Sequence, residues 1–376
     1  MSVFLFLKQI VDVLYPYHWL DYMMVIMVGI ALLYQIMLVR PDIKKHTTFS
    51  DVMIVLFTVL LTISFAKDIS AYGIYVKVLS AFLMYFVGRI YYDRIKECTG
   101  ALVTSAYLVV YFNLIHRLYC FGTDFLQVKN AGGDLYYYDT DMAFAMVLAM
   151  IFIGMYGKNS LRKYFTLFFV CPYMVLFSDA GIQKVLMMVV FLLMLLYLMD
   201  KALGKKKIVN LCLSVAIVGL LCLIVLLMLP VFIGEGGIPG SGAGESILSI
   251  ENMNDRYVKW QAVWEEFKGV GIGSGLFGVK LSASIGNLYL KTLYSTGAAG
   301  LLLLFALIAS IVYYVVQIED RKTFFVTILL MVMLLGTGLT VASMEATQMS
   351  WFPMMFAGMV ISSVQVKDLE QAEEEV

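Results

Sequence analysis

Ala298-Ala-Gly-Leu-Leu-Leu-Leu-Phe-Ala-Leu-Ile-Ala-Ser-Ile-Val-Tyr-Tyr-Val-Val-Gln317 is a run of twenty residues without a formal charge. A helix of that length rises about 30 Å, the thickness of the hydrocarbon core of a bilayer. Ten further apolar runs invite the same reading: 20–39, 52–66, 74–92, 101–119, 142–156, 164–177, 185–199, 208–233, 324–341 and 351–364. Several are shorter than the roughly 20 residues of a full span and must borrow flanking residues. The composition agrees, with 61% hydrophobic and 14% charged residues and a mean hydropathy of +0.87. That balance excludes an ordinary soluble core. The fold expected is all-α: a polytopic membrane helix bundle of about eleven transmembrane helices, forming a single integral membrane domain over 1–376. Residues 1–17 are interrupted by Lys8, Asp12 and Pro16. They read as a segment lying along the membrane surface, not as a cleavable signal peptide.

Charge distribution orients the spans. The loops 40–51, 93–100, 158–163, 201–207 and 318–322, with the C-terminal tail, hold fifteen Lys and Arg. The alternate loops are poor in them, apart from a long one at 234–297 that carries five. Short basic loops stay in the cytoplasm, whereas long loops translocate largely regardless of charge. The N-terminus and the long loop are therefore expected outside and the acidic tail inside. The five cysteines form no CxxC pair, and His18, His46 and His116 are far apart. Neither a disulfide frame nor a metal site is implied, and no metal or cofactor is expected. A net charge of zero carries no information about nucleic acid, and no such partner is expected.

The long loop holds the most polar stretch. Residues 251–268 read Glu-Asn-Met-Asn-Asp-Arg-Tyr-Val-Lys-Trp-Gln-Ala-Val-Trp-Glu-Glu-Phe-Lys, followed by Gly269-Val-Gly-Ile-Gly-Ser-Gly275. Asn252 or Asn254 can cap a helix that stops at Gly269. On it Arg256, Trp260, Val263 and Phe267 share one stripe, and Glu265 lies opposite. An inward arginine beside tryptophans calls for an anion. Arg256 either forks onto a diphosphate or snorkels and pairs with a loop carboxylate. Lys259 adds a second charge or pairs with Asp255. The glycine run either presents backbone N–H groups to an anion or stops the helix and packs closely. It is not a nucleotide-binding loop, because it lacks the Lys-Ser/Thr ending and a preceding strand.

The order Arg256…Trp260…Gly269-x-Gly-x-Gly-x-Gly275-Leu-Phe, then Asn287-x-x-Leu290, then Gly297-x-x-Gly300 opening a hydrophobic helix, resembles the signature region of the O-antigen ligase/polymerase superfamily. The resemblance covers about 50 residues, and the layout of hydrophobic runs fits over most of the chain. It implies a metal-independent, inverting membrane glycosyltransferase in the bacterial inner membrane, its long loop external. The donor would be a glycan linked through diphosphate to a polyprenol, presented from the lipid bilayer. A flippase and a chain-length regulator would be assembly partners. The transfer would be polymerisation of lipid-linked repeat units. Alternatives are ligation to a terminal lipid or wall acceptor, a non-catalytic subunit of an export system, or a transporter. Arg256 and Lys259 would be catalytic, and Arg117, Trp260, Lys184, Asn287 and Tyr138 would bind substrate. Two departures stand out: ligase-type members carry His where this chain has Gly286, and many members carry Ser-Arg-Gly where it has Ser178-Asp179-Ala180-Gly181. Asp139, Asp141, Asp179, Glu265, Glu266 and Glu345 are the external carboxylates available as a base.

Overall fold

The computed structural model describes residues 1–14, 18–39, 47–128, 135, 138–203 and 251–374, and these residues form helices joined by turns. In chain order the helices are α1 (Ser2–Val13), α2 (His18–Val39), α3 (Phe49–Lys67), α4 (Tyr72–Ile90), α5 (Tyr92–Glu97), α6 (Thr99–Phe121) and α7 (Asp139–Tyr156). Then come α8 (Leu161–Phe165), a π-helical turn (Thr166–Val170), α9 (Cys171–Leu176), α10 (Gly181–Leu203), α11 (Glu251–Lys268) and α12 (Ile272–Phe277). The last are α13 (Leu288–Gln317), α14 (Arg321–Thr337) and α15 (Thr347–Glu374).

Among the described residues, 7 helical stretches are long and apolar enough to cross a membrane. They are Phe49–Lys67, Ile69–Ile90, Thr99–Asp124, Asp139–Tyr156, Gly181–Ala202, Leu288–Gln317 and Thr347–Val366. The chain is a multi-pass membrane protein. Eleven spans were expected from the apolar runs, and three of the other four also fall on helices. Run 20–39 lies on α2, run 164–177 on α8, the π turn and α9, and run 324–341 on α14. The last two are too short: α14 has 17 residues, a rise of about 26 Å. Run 208–233 lies outside the described residues, as does part 234–250 of the long loop. The remainder of that loop is partly helical, through α11 and α12.

Small residues set the central contact, between α4 and α15. A Cβ on Gly88 would overlap the carbonyl of Met355, and one on Gly358 would overlap the carbonyl of Tyr85. Two glycines facing each other's helix backbone allow the close approach on which membrane helices depend for dispersion contacts. Polar bonds lock the same pair: Trp351 Nε1 donates to Ser80 Oγ at 2.8 Å and Ser362 Oγ to the Arg89 carbonyl at 2.7 Å. Around it, Phe144, Phe152, Phe325, Phe352 and Phe356 are fully buried.

The turns gather at two ends. At the basic end, Arg89 pairs with Asp51 at 3.2 Å and Arg321 with Asp200 at 2.8 Å. At the other end, the Asp68 carboxylate accepts from the Ser282 N–H at 2.8 Å. The Ser282 hydroxyl, then the Ser70 hydroxyl and that backbone bond, lower the Asp68 pKa to about 2. Helix α13 breaks there, at Gly297 with φ 74. The break leaves carbonyls outside the helical ladder, and neighbours take them: Tyr294 O accepts from Val279 N at 2.8 Å and Ser295 O from Ser64 Oγ at 2.6 Å. Loop 278–287 is thereby docked against α3 and α13.

The N-terminal segment is packed onto the bundle. Helix α1 packs on α6, with Gln9 Nε2 donating to the Leu102 carbonyl at 3.1 Å. Lys8 and Asp12 are buried. Lys8 pairs with Asp12, reaches Thr347 Oγ1 at 3.3 Å and lies 4.2 Å from the Trp351 ring centroid. The charges taken as interruptions of an apolar segment are instead its attachment to the bundle, because each finds a partner out of water.

Candidate functional site

Helix α11 lies across the loop end with its stripe turned inward. Tyr257 and Trp260 are buried and join Ile285, Leu290 and Tyr294 in an apolar cluster of their own. Val263, Trp264 and Phe267 pack against it. The Tyr257 and Trp260 rings meet edge to face at 5.4 Å. Glu265 points to solvent and pairs with Lys268 at 2.6 Å. Tyr294 donates its hydroxyl to Glu266 at 2.6 Å, tying the outer side of α11 to α13. Gly269 ends the helix, its N–H reaching the Glu265 and Glu266 carbonyls at 3.3 and 3.2 Å. Of the two readings of the glycine run, the helix stop is visible at this residue.

The segment after α14 supplies a row of backbone acceptors. Run 324–341 stays apolar, yet the helix ends at Thr337, and three successive carbonyls beyond it turn toward the long loop. Gly338 O accepts from Leu288 N at 2.7 Å, Leu339 O accepts from Asn287 Nδ2 at 2.9 Å, and Thr340 O accepts from Arg256 Nη1. Through Nη1 Arg256 is thereby anchored to the segment after α14. Arg256 is half-buried, and burial lowers its pKa from the ordinary arginine value. The absent side chain of Gly286 leaves room beside it: a Cβ there would lie 3.2 Å from Thr340 O and 3.7 Å from Arg256 Nη1.

A cleft of about 420 Å³, open to solvent, is lined by residues from two parts of the chain. One comprises Arg256, Lys259, Trp260 and Val263 of α11 with Ser284, Ile285 and Gly286. The other comprises Tyr138, Asp139 and Thr140 at the head of α7 with Asp179 of the turn before α10. Asp139 is buried, and its Oδ2 accepts from the Asp179 backbone N–H at 2.6 Å, which bonds the turn before α10 to the head of α7.

Of the seven residues expected at the site, Arg256, Lys259, Trp260 and Tyr138 line the cleft. Lys184 is buried one turn into α10, where the charges of Asp179 and Asp139 act on it. Asn287 and Arg117 are not among the cleft-lining residues. Asn287 caps α13: its Oδ1 accepts from Tyr289 N and Leu290 N, both at 3.0 Å. Arg117 is fully buried, donating to Tyr173 Oη at 3.2 Å, Gln127 O at 3.0 Å and Phe177 O at 2.8 Å, with Phe121 4.9 Å beneath it. It ties the 122–128 loop to the turn at 177. Of the other carboxylates singled out, Glu265 and Glu266 are held as described above, and Asp141 is buried.

Sequence reasoning passed over Lys291. This buried lysine donates to the Leu281 carbonyl at 2.7 Å and to the Ala283 carbonyl, and it pairs with Glu345 at 3.1 Å. It holds the loop from which Ser284, Ile285 and Gly286 form the cleft floor. The available signal was a lone cation at the head of a long apolar run, a place where an ionisable residue needs a partner. No protein-family model matches the chain, and no curated protein matches it.

Proposed function

We propose that this chain is a bacterial membrane glycosyltransferase that polymerises a cell-surface polysaccharide from polyprenyl-diphosphate-linked repeat units. The observation that carries this reading is the cleft at the loop end of the bundle, which Arg256, Lys259, Trp260 and Tyr138 line together. Two cations beside aromatic faces suit a ligand with an anionic link and sugar rings. A guanidinium forks onto phosphate oxygens in two-point geometry, and an ammonium adds a point charge. A site at the end of a bundle that spans a membrane lies at headgroup level, where a lipid-linked diphosphate is presented. By the basic loops at the opposite end, the cleft faces outward.

The chemistry is displacement at the anomeric carbon with inversion. The acceptor hydroxyl attacks C1 from the side opposite the diphosphate, the C1–O bond to phosphate breaks, and charge grows on the departing diphosphate. Arg256 and Lys259 stabilise that charge. Ligation to a terminal acceptor uses the same donor and the same displacement, and differs only in what supplies the hydroxyl. The test is reconstitution of the purified full-length chain in nanodiscs with an undecaprenyl-diphosphate-linked oligosaccharide. Release of undecaprenyl diphosphate with formation of a longer lipid-linked chain is the expected result. Failure to bind or consume any such donor rejects the reading.

A further inference from the structure

Gly286 offers no proton acceptor, yet displacement by a sugar hydroxyl releases a proton. We propose that Asp179 is the catalytic base that takes the proton from the acceptor hydroxyl; this rests on the glycosyltransferase reading of the cleft. Among the described cleft-lining residues two carry carboxylates, Asp139 and Asp179. Asp139 is 3% exposed, and its Oδ2 is engaged by the Asp179 backbone N–H at 2.6 Å. Asp179 is exposed on the cleft wall. Its backbone, not its side chain, makes the bond to Asp139, so the exposed carboxylate, with the buried Lys184 as a neighbouring charge, can meet a ligand while the turn stays fixed. Ser178 strengthens that turn by donating to the Val175 carbonyl at 2.7 Å.

The cleft lining supplies both kinds of charge that an inverting step needs. Arg256 and Lys259 belong to the group formed by α11 and the 284–286 loop, whereas Asp179 belongs to the group headed by α7. The leaving diphosphate and the attacking hydroxyl must lie on opposite sides of C1, and the cleft lining offers cations and a carboxylate from different segments of the chain. The acceptor O–H gives its proton to an Asp179 carboxylate oxygen as the acceptor oxygen bonds to C1. The C1–O bond to the diphosphate breaks, its electron pair stays on the diphosphate, and Arg256 meets that charge. The proton on Asp179 then passes to water in the open cleft, and the carboxylate is restored.

The experiment uses the full-length chain in nanodiscs, with undecaprenyl diphosphate as a binding probe and a lipid-linked oligosaccharide as donor and acceptor. Asp179→Asn keeps the backbone bond to Asp139 and is expected to bind the probe as the wild type does. Its turnover is expected to fall about 10²- to 10⁴-fold, the usual contribution of a positioned base. Asp179→Glu, which keeps a carboxylate, is expected to recover part of that loss. Turnover of Asp179→Asn at the wild-type rate overturns the assignment, as does equal loss in Asp179→Asn and Asp179→Glu. A wild-type chain that binds no probe and elongates nothing rejects the glycosyltransferase reading itself, and the base assignment with it.

Discussion

The ammonium of Lys291 lies 3.1 Å from the carboxylate of Glu345 and also donates to the carbonyls of Leu281 and Ala283. One side chain on α13 thus joins the turn before α15 to the loop that floors the cleft. Burial raises the Glu345 pKa, against the opposing pull of Lys291. Its ionised form therefore depends on that partner. Lys291→Met removes the cation and leaves a desolvated carboxylate and two carbonyls without their donor. Breaking a buried pair from one side costs about 3–5 kcal/mol. A clear fall in the thermal midpoint in detergent is expected. The double variant Lys291→Met with Glu345→Gln is expected to recover part of it, since no unpaired charge remains. A Lys291→Met protein as stable as the wild type would show that the pair holds nothing in place.

Arg256 both anchors to Thr340 and presents the rest of its guanidinium to the cleft. Arg256→Lys keeps the charge but loses the two-point fork. Loss of one charge-assisted contact costs roughly 1.5–3 kcal/mol, about ten- to a hundredfold in rate. Transfer is expected to fall by that factor in Arg256→Lys and further in Arg256→Ala, with the chain still folded by size-exclusion chromatography. Unchanged transfer by a stable Arg256→Ala chain would remove this residue from the mechanism.

These features differ in how far the amino-acid order reveals them. Apolar runs are legible because membrane helices are built from them, and each run within the described residues falls wholly or largely on helix. The inward stripe of α11 is legible because four residues repeat at helical spacing. Arg256 and Trp260 turn inward while Glu265 turns out. The end of α14 is not legible from hydropathy, since residues 338–341 stay apolar after leaving the helix. The acceptors they supply are backbone carbonyls, which side-chain identity does not announce. Asn287 carried a capping signal, a short amide before an apolar helix, although the family resemblance pointed to substrate. The bond between Asp139 and Asp179 joins positions 40 apart in sequence, and only the packing of α7 beside the 177–181 turn brings them together.

Orientation is tested by single-cysteine labelling at two exposed lysines of opposite ends. Lys259 lines the cleft, and Lys96 follows α4 at the basic end. A cysteine at 259 is expected to react in intact cells with a membrane-impermeant maleimide, and one at 96 only after permeabilisation. The reverse pattern would place the cleft in the cytoplasm and dismiss transfer at the outer face. Ser246 of the long loop and Lys206 of the basic loop 201–207 would report the same two sides by the loop charges, and both lie outside the described residues.

Gly286 bears on which reaction this cleft performs. In ligase-type members of the resembled family a histidine stands at this place; here the space abuts Thr340 O and Arg256 Nη1. Glycine can neither accept a proton nor hold an acceptor hydroxyl. Binding and orienting both substrates contributes up to about 7–11 kcal/mol, so a site without that histidine is physically competent. The expected activity is therefore polymerisation, in which donor and acceptor are both lipid-linked repeat units brought to one membrane face. Deletion of the gene separates the two activities. Loss of a polymerase leaves single repeat units on the final acceptor, whereas loss of a ligase leaves long chains on the polyprenyl carrier. Gel analysis of the surface polysaccharide from the deletion strain is expected to show single units, with longer chains restored by the wild-type gene. Long carrier-linked chains in that strain would reject polymerisation and show that a glycine at 286 does not distinguish the two reactions.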